Sequence, residues 1–353
     1  MDFGIALATT TDSWRWVKRA EELGFSHAWF YDTQLLNPDV FIWMTQAAMN
    51  TDKIRLGTGV LIPSNRIEPV TANAYASLNK IAPGRIDFGV GTGFTGRRTM
   101  GLGAITLSRF ETYIERVQAL LRGETITWDF EGKERAIRFL NPDYGLINLT
   151  DDIPLHISAF GPKSRALTAQ FGAGWINFTG QPETAISDLQ RMQESWADAN
   201  NSGELYSNLF VLGCVLDEGE SILSERALAQ AGPWATVFLH NLVETTQPDE
   251  MKPLLPAALN TALEAYREIY LSYPEAERHL HNHRGHFMKL REDESVLLNT
   301  EVMTALCGFA ATEQQLITHI RSLQSAGYSQ FTVQLVEGQE AALEDWARVM
   351  KRV

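Results

Sequence analysis

Two glycine-rich stretches of the sequence have the composition of phosphate-binding turns. The first, VGTGFTGRRT at 90–99, carries the spacing GxGxxG from Gly91, and glycines at this spacing let a pyrophosphate approach the backbone closely. A dinucleotide site also needs a helix that begins at once, so that free N–H groups and the positive end of the helix dipole face the phosphate. Here residues from Arg97 onward intervene, and the first convincing N-cap is Ser108. The sequence therefore predicts no dinucleotide site at this motif.

The second stretch, SAFGPKSRA at 158–166, follows an apolar run and is better placed. Gly161 permits a tight turn, and Pro162 suits the first position of a helix. Backbone N–H groups from Gly161 onward and the cations Lys163 and Arg165 would converge on one point, which makes a phosphate seat. The end of the next predicted strand can add donors: Thr179 and Gly180. A plain strand-to-helix turn explains the same residues equally well.

Polar residues also follow the second predicted strand. Asp32 and Thr33 stand directly after the apolar run AWFY. A carboxylate at this position can accept a ring N–H, act as a base or cap the next segment. The residue types alone leave these three roles open.

Histidines are concentrated in the stretch HLHNHRGH, which contains His279, His281, His283 and His286. Metal binding is one interpretation, but no carboxylate or cysteine falls at a recognised metal-ligand spacing. We therefore expect no metal and a polar lid, from which His286 would supply a proton.

Predicted strands and helices that alternate along the chain must position these groups. Eight apolar strand patterns are each followed by a helix pattern, which favours a parallel sheet and, at this length, a (β/α)8 TIM barrel. The alternation pauses after the fourth helix at ETITWDFEGKERAIRF, which predicts a β-hairpin, and again at about 218–301, which predicts a helical insertion between strands 7 and 8. No break in composition marks a linker, so we expect a single domain over 1–353.

In such a barrel the active site lies at the carboxyl ends of the strands. The predicted strand ends are rich in glycine, serine and threonine and poor in charge. A surface of this kind suits a flat, uncharged ring system that the backbone approaches closely.

Composition excludes several classes of protein. The net charge of -13 argues against a nucleic-acid partner, because a protein that binds a duplex needs a basic face. The N-terminus lacks the pattern of a signal peptide, and no apolar run approaches the roughly 20 residues that span a bilayer. Cys214 and Cys307 are too few for a disulfide framework or a four-ligand zinc site. We expect a cytoplasmic protein without a membrane partner.

Several strand ends, taken together, resemble the bacterial luciferase-like monooxygenase family of flavin and deazaflavin enzymes. The matching stretches span nearly the whole chain in the family's order: AEELGFSHAWFYD, IRLGTGVLIP, LNKIAPGRIDFGVGTG, PLHISAFGPKSRALTAQFGAGWI and LQSAGYSQFTVQLV. The resemblance implies a (β/α)8 barrel that binds FMN, or the related 8-hydroxy-5-deazaflavin coenzyme, at its C-terminal mouth. It also implies a non-proline cis peptide at Gly59-Val60, behind the ring.

The resemblance assigns the cofactor contacts to turns that follow the strands. Phosphate would lie against Gly161 to Lys163 and Gly180, and the ring would lie against Gly91 to Gly93. The cofactor-binding residues that we expect are Ala8, Thr58, Gly59, Val60, Gly91, Thr92, Gly93, Ser158, Ala159, Phe160, Gly161, Pro162, Lys163, Thr179 and Gly180.

Two positions depart from the deazaflavin-dependent members of the family. Those members often carry an Asp-His pair after the second strand, where this chain has Asp32-Thr33. The sugar-phosphate dehydrogenases among them carry a catalytic Glu where this chain has Phe94. Both departures weigh against these particular activities.

We therefore expect an FMN-dependent monooxygenase that uses reduced flavin and O2 on a small organic substrate. A separate flavin reductase would supply the reduced flavin, and Asp32, Thr33 and His286 would act near the reacting centre. The alternatives are a deazaflavin-dependent hydride-transfer enzyme, with Arg97, Arg98 and Lys163 on an anionic cofactor tail, a non-catalytic flavin-binding protein, and a metal-dependent barrel hydrolase. A homo-oligomer, either a dimer or a tetramer, is expected from the family.

Overall fold

A computed structural model describes residues 1–245 and 255–353 of the chain. Its strands, in chain order, are β1 (Asp2–Leu7), β2 (His27–Phe30), β3 (Arg55–Thr58), β4 (Ile86–Val90), β5 (Ile126–Phe130), β6 (Lys133–Ile137), β7 (Leu155–Ser158), β8 (Gly174–Phe178), β9 (Ser207–Val211), β10 (Cys214–Leu216), β11 (Ala310–Thr312) and β12 (Gln330–Leu335). Its helices are α1 (Ser13–Leu23), α2 (Val40–Asn50), α3 (Glu68–Ile81), α4 (Phe94–Arg98), α5 (Leu107–Leu121), α6 (Pro162–Gln170), α7 (Pro182–Asp198), α8 (Glu225–Thr245), α9 (Ala257–Ser272), α10 (Arg278–Asn282), α11 (Glu292–Ser295), α12 (Thr300–Leu306), α13 (Glu313–Ala326) and α14 (Ala342–Met350).

Eight parallel strands close into a barrel in the order β1-β12-β9-β8-β7-β4-β3-β2. The last strand returns to the first, with Ile5 opposite Val333 in the closing pair. All six residues of β12 and all five of β4 are buried, as expected for parallel strands that are covered on both faces. The predicted (β/α)8 barrel is confirmed.

Local signals in the sequence explain where several helices begin and end. The Asp39 side chain accepts a hydrogen bond from the Phe41 N–H at 2.9 Å and so caps α2. Gly24 ends α1 and Gly327 ends α13 with φ of 97° and 112°, a left-handed conformation that favours glycine.

The hairpin predicted after the fourth barrel helix is present. Strands β5 and β6 pair antiparallel, with Ile126 opposite Ile137 and the turn at Glu131-Gly132. Both turn residues have positive φ, 54° and 71°, as a two-residue hairpin turn requires.

The seventh strand is shorter than its sequence pattern indicates. The apolar run continues to Leu216, but barrel strand β9 ends at Val211 and a separate strand, β10, pairs with β11. A Cβ on Gly213 would lie 2.3 Å from the Phe309 carbonyl oxygen, so the chain leaves the barrel where only glycine allows that approach. Strands β10 and β11 form the base of the insertion, whose predicted boundary at about 301 is therefore too early.

The insertion contains helices α8 to α12 and a buried apolar cluster of its own, which includes Leu239, Tyr266 and Met303. Among the described helices, none is both long and apolar enough to cross a membrane.

Candidate functional site at the barrel mouth

Glycine backbone forms one wall of the barrel mouth. The Gly59-Val60 peptide is cis, as the family resemblance implied. A Cβ on Gly59 would lie 2.9 Å from Cβ of Trp29, and a Cβ on Gly91 would lie 2.8 Å from Cγ2 of Val60. Side chains at these two glycines would clash, so the mouth presents backbone between β3 and β4. This is the surface that the sequence predicted for a flat ring.

Aromatic side chains line the barrel interior below this wall, and the insertion covers them. Tyr31 and Phe210 belong to a buried cluster in the upper barrel, against which Phe287 and Met288 of the insertion pack. The Phe287 ring meets that of Phe178 edge-on, with centroids 5.2 Å apart. The sequence predicted a polar lid here but not the apolar contacts of Phe287 and Met288, because an isolated Phe-Met pair in an insertion has no periodic signal.

The predicted phosphate turn stands at the N-terminus of α6. Gly161, Pro162 and Lys163 are exposed, and the nearest atom to a Cβ on Gly161 would be 3.9 Å away. The first turn of a helix leaves its N–H groups without helical partners, so an anion has donors here. Arg165 does not join them, because its Nη1 donates to the Phe160 carbonyl oxygen at 2.5 Å and its side chain is buried.

The neighbouring turn, which follows β8, lies under the insertion. A Cβ on Gly180 would be 2.0 Å from Nε1 of Trp234, and the Gly308 N–H donates to the Gly180 carbonyl oxygen at 2.8 Å. Thr179 is also buried. These two residues pack against the insertion, and their predicted part in phosphate binding stays a prediction.

The remaining predicted contacts fall into two groups. The Thr58 hydroxyl donates to the Gly89 carbonyl oxygen of β4 at 2.5 Å and lies 2.7 Å from the Tyr75 hydroxyl of α3. Its hydrogen bonds are therefore made within the protein. The Ala159 carbonyl oxygen accepts from Nε1 of Trp175 at 2.8 Å. The others follow the strand ends as predicted: Ala8 and Gly93 are buried, Thr92 and Ser158 are half-buried, and Phe160 is exposed.

Asp32 is buried and fully engaged by the segment that follows β3. Its carboxylate accepts from Nη1 of Arg66 at 2.9 and 3.0 Å, from Nδ2 of Asn65 at 3.2 Å and from the Ile62 N–H at 3.2 Å. Burial raises the pKa of Asp32, and the Arg66 guanidinium opposes that shift. This geometry makes Asp32 an anchor for the wall at Gly59, while Thr33, beside it, is half-buried.

The GxGxxG stretch and the helix after it differ from their prediction in two respects. A helix does begin directly after Gly93, but α4 has only five residues. The next helix is capped by Thr106, whose hydroxyl accepts from the Arg109 N–H at 3.4 Å, and not by Ser108. The motif nevertheless follows the fourth strand of a closed barrel, which is not the first βα unit of a dinucleotide-binding fold.

The two arginines of this stretch bind protein groups. Nη1 of Arg98 lies 3.2 Å from Oδ1 of Asn241 and 3.2 Å from Oε2 of Glu244, and its guanidinium stacks 3.6 Å over the Phe94 ring. Nε of Arg97 donates to the Gly103 carbonyl oxygen at 2.5 Å. Arg98 therefore ties α4 to the insertion.

His286 lies beside Phe287 at the edge of the mouth and is buried. Its Nε2 is 3.1 Å from the Thr95 hydroxyl. Burial, and then the neighbouring imidazoles of His283 and His240, lower the pKa of His286 well below its ordinary value, so the ring is neutral at pH 7. Its predicted part as a proton donor stays a prediction.

Comparison of the sequence with those of known proteins identifies relatives of this chain. The F420-dependent glucose-6-phosphate dehydrogenase of Beutenbergia cavernae is 34% identical over 152 residues, which are 41% of this chain and 43% of that protein. The 5,10-methylenetetrahydromethanopterin reductase of Methanolobus tindarius is 31% identical over 184 residues, 49% of this chain and 53% of that protein. The chain thus spans about half the length of the curated relatives it matches.

A solved structure shows the same fold over the whole chain. The coenzyme F420-dependent tetrahydromethanopterin reductase of Methanopyrus kandleri is 19% identical with a TM-score of 0.71, covering 98% of this chain and 97% of that one. The family model for luciferase-like monooxygenases matches residues 7–330. This protein therefore belongs to the luciferase-like monooxygenase family, within which the relatives named above are oxidoreductases.

Proposed function

We propose that the protein is a deazaflavin-dependent oxidoreductase that transfers a hydride between coenzyme F420 and a small organic substrate. The observation that carries the proposal is the sequence similarity to F420-dependent enzymes, which reaches 34% identity over the matched part of the chain. The sequence placed this activity second, behind an FMN-dependent monooxygenase. The relatives support the second of these activities, which does not require a separate flavin reductase.

The residues at the mouth fit such a cofactor. Its flat ring needs a wall without side chains, and Gly59 and Gly91 stand where a Cβ would meet Trp29 or Val60 within 3 Å. Its anionic tail needs donors, and the exposed N-terminus of α6 offers N–H groups together with the Lys163 ammonium. When bound, the deazaflavin supplies the group that accepts or gives up the hydride.

The chain would contribute three things to that reaction. Asp32 holds the segment with Ile62 and Arg66, and through it the wall at Gly59-Val60, so Asp32 is a positioning residue. The N-terminus of α6 would fix the cofactor's tail. Phe287 covers the mouth and would exclude water from the reacting atoms.

Two residues narrow the substrate class. Phe94 occupies the position where the resemblance places the Glu of the sugar-phosphate dehydrogenases, and its ring is stacked against Arg98. Thr33 occupies the position of the usual histidine. We therefore propose a substrate other than a sugar phosphate, in which a hydroxyl or carbonyl carbon exchanges the hydride.

A pair of titrations tests the proposal. The purified protein is titrated separately with coenzyme F420 and with FMN, and binding is followed by the fluorescence of each cofactor. We expect F420 to bind at least about tenfold more tightly, a difference of roughly 1.4 kcal/mol. Tight binding of FMN alone would overturn the proposal.

Turnover separates the remaining alternatives. In the absence of oxygen, a panel of alcohols should reduce F420 and bleach its visible absorption. Product formation that needs both reduced FMN and O2 would instead support the monooxygenase, and F420 binding without turnover on a broad panel would support a non-catalytic binder.

A further inference from the structure

Three histidines of the insertion meet in its interior, beside the barrel mouth. His240 lies in the C-terminal half of α8, whereas His283 and His286 lie in the segment after α10. One ring nitrogen from each histidine lies within 4.8 Å of those of the other two. The exposed fractions of the three residues are 2, 2 and 8%, so solvent scarcely reaches them.

An oxygen atom lies near Nε2 of each of these histidines; it is a hydrogen-bond partner for His240 and His286, whereas for His283 only the distance is short. Nε2 of His240 lies 2.5 Å from Oε1 of Glu294, and Nε2 of His283 lies 3.0 Å from Oε1 of Glu244. Nε2 of His286 lies 3.1 Å from the Thr95 hydroxyl oxygen. Metal-ligating histidines usually have such partners on the second ring nitrogen, which fix the tautomer and orient the ring.

The Nδ1 atoms of the same rings lack hydrogen-bond partners. Those of His240, His283 and His286 are all buried without one within the described part of the chain. A neutral imidazole that donates from Nε2 keeps a lone pair on Nδ1. A buried polar atom without a partner is destabilising by about 1–3 kcal/mol, so three of them in one place indicate that something else binds there.

We infer that His240, His283 and His286 form a binding site for a transition-metal ion, of which Zn²⁺ is the best fit. Neutral imidazole nitrogen is a preferred ligand of zinc and its neighbours in the first transition series, whereas Ca²⁺ and Mg²⁺ prefer oxygen. This site replaces our expectation from sequence that the His-rich segment binds no metal.

The spacing of the ring nitrogens and the nearby charged side chains determine how an ion would be coordinated. Zinc–nitrogen bonds of about 2.0–2.1 Å require ligand nitrogens roughly 3.3 Å apart, so the rings must turn inward slightly on binding. Arg291 lies 2.9 Å from the Glu294 carboxylate and Arg98 lies 3.2 Å from that of Glu244. Because both carboxylates are already paired, the fourth coordination position suits a small anion such as hydroxide or chloride.

Metal binding at this site would stabilise the cover of the barrel mouth. His286 directly precedes Phe287 and Met288, which pack on the buried cluster of the upper barrel. An ion shared with His240 would tie this segment to α8. The metal therefore has a structural role, distinct from the hydride transfer proposed for the mouth.

Metal uptake by the tag-free full-length protein tests the inference. After treatment with a chelator, the protein is titrated with Zn²⁺ by calorimetry, and bound metal is measured by elemental analysis. We expect one equivalent per chain and a higher thermal unfolding temperature in its presence. Co²⁺ should give the intense visible spectrum of a tetrahedral nitrogen site. Uptake far below one equivalent, or a Co²⁺ spectrum like that of the free ion, would overturn the inference.

Matched variants then locate the ion. His283→Gln should lower zinc affinity by at least about 100-fold, and Glu294→Gln should lower it by about tenfold through the orientation of His240. His281→Gln is the control, because this partly exposed histidine lies nearby in α10 but is not in the cluster. Equal effects of His283→Gln and His281→Gln would contradict the site. If a variant does not fold, the Co²⁺ spectrum of the wild-type protein decides the question.

Discussion

The barrel has a buried group of histidines near each end, and the two groups differ in their partners. At the amino ends of the strands, His156 lies beside Asp87, which also receives two hydrogen bonds of 2.9 Å from Arg55. At the other end, one ring nitrogen from each of His240, His283 and His286 lies within 4.8 Å of those of the other two, and among the described residues the Nδ1 atoms of all three lack a hydrogen-bond partner. The lower group pairs the buried Asp87 carboxylate with Arg55 and His156 and leaves Nδ1 of His156 without a partner, whereas the upper group leaves the Nδ1 atoms of three histidines without one in the described part of the chain.

This difference separates a structural role from a binding role. In a barrel of this kind the amino ends of the strands serve stability and the carboxyl ends serve function. Burial alone would raise the pKa of Asp87, but hydrogen bonds from His156 and Arg55 hold it below its ordinary value. The lower group is thus stabilised as an ion pair, and neutralising one member should affect folding before it affects any ligand.

The largest effect is expected at Asp87. Asp87→Asn leaves the Arg55 guanidinium without its counter-charge and should lower the free energy of unfolding by about 3 kcal/mol, measured by urea denaturation. Zinc binding by the folded fraction should not change. Asp12→Asn is the control, because its pair with Arg15 is exposed and should contribute nothing measurable. A loss of zinc affinity in Asp87→Asn would remove the distinction between the two groups.

The next effect is the pH dependence that His27 gives to the stability of the protein. Burial lowers the pKa of His27 to about 4 from its ordinary 6.5. Between these values the unfolded chain binds the proton and the folded chain does not, so stability falls as the pH falls from 6.5 to 4, by up to about 3 kcal/mol. His27→Gln should flatten the unfolding free energy over this window by that amount. Urea denaturation at several pH values between 4 and 6.5 measures the slope, and an unchanged slope in His27→Gln would contradict the assignment.

A smaller effect is expected at the predicted phosphate seat. Gly161→Asp places a carboxylate at the N-cap of α6, where it would repel the cofactor's anionic tail and compete for its donors. Affinity for F420 should fall about tenfold, roughly 1.4 kcal/mol, while the unfolding temperature stays constant or rises. Gly161 has a φ of -86° and open space around its Cβ position, so the folded state accepts a side chain at this position.

The neutral variant Gly161→Ser is the control for this prediction and should retain most of the affinity. If both variants bind F420 as the wild-type protein does, the tail lies elsewhere in the molecule.

Regular structure was predictable because the signals that determine it are local. Apolar runs, glycine stops and the Glu131-Gly132 turn predicted the barrel strands, their helices and the hairpin. The end of β9 was not predictable, because it depends on the close approach of Phe309 to Gly213, about a hundred residues apart in the chain. Likewise, α4 is too short to produce a periodic pattern.

In the candidate sites, too, local signals were predictable and contacts between distant residues were not. Gly161 was predicted from the residues of its turn, and Gly59 from the resemblance to a family. His283 and His286 were noticed as a cluster, but their common partner, His240, lies on a different helix and is identified only by the fold. Asp32 was found as a polar strand end, while its partner Arg66 has no signal in the sequence.

A crystal structure of the protein with coenzyme F420 would test the central claim most directly. The account predicts the deazaflavin ring against Gly59-Val60 and Gly91, with the phosphate of the tail on the N–H groups that begin α6. A ring bound outside the barrel mouth, or a phosphate bound away from the N-terminus of α6, would contradict it.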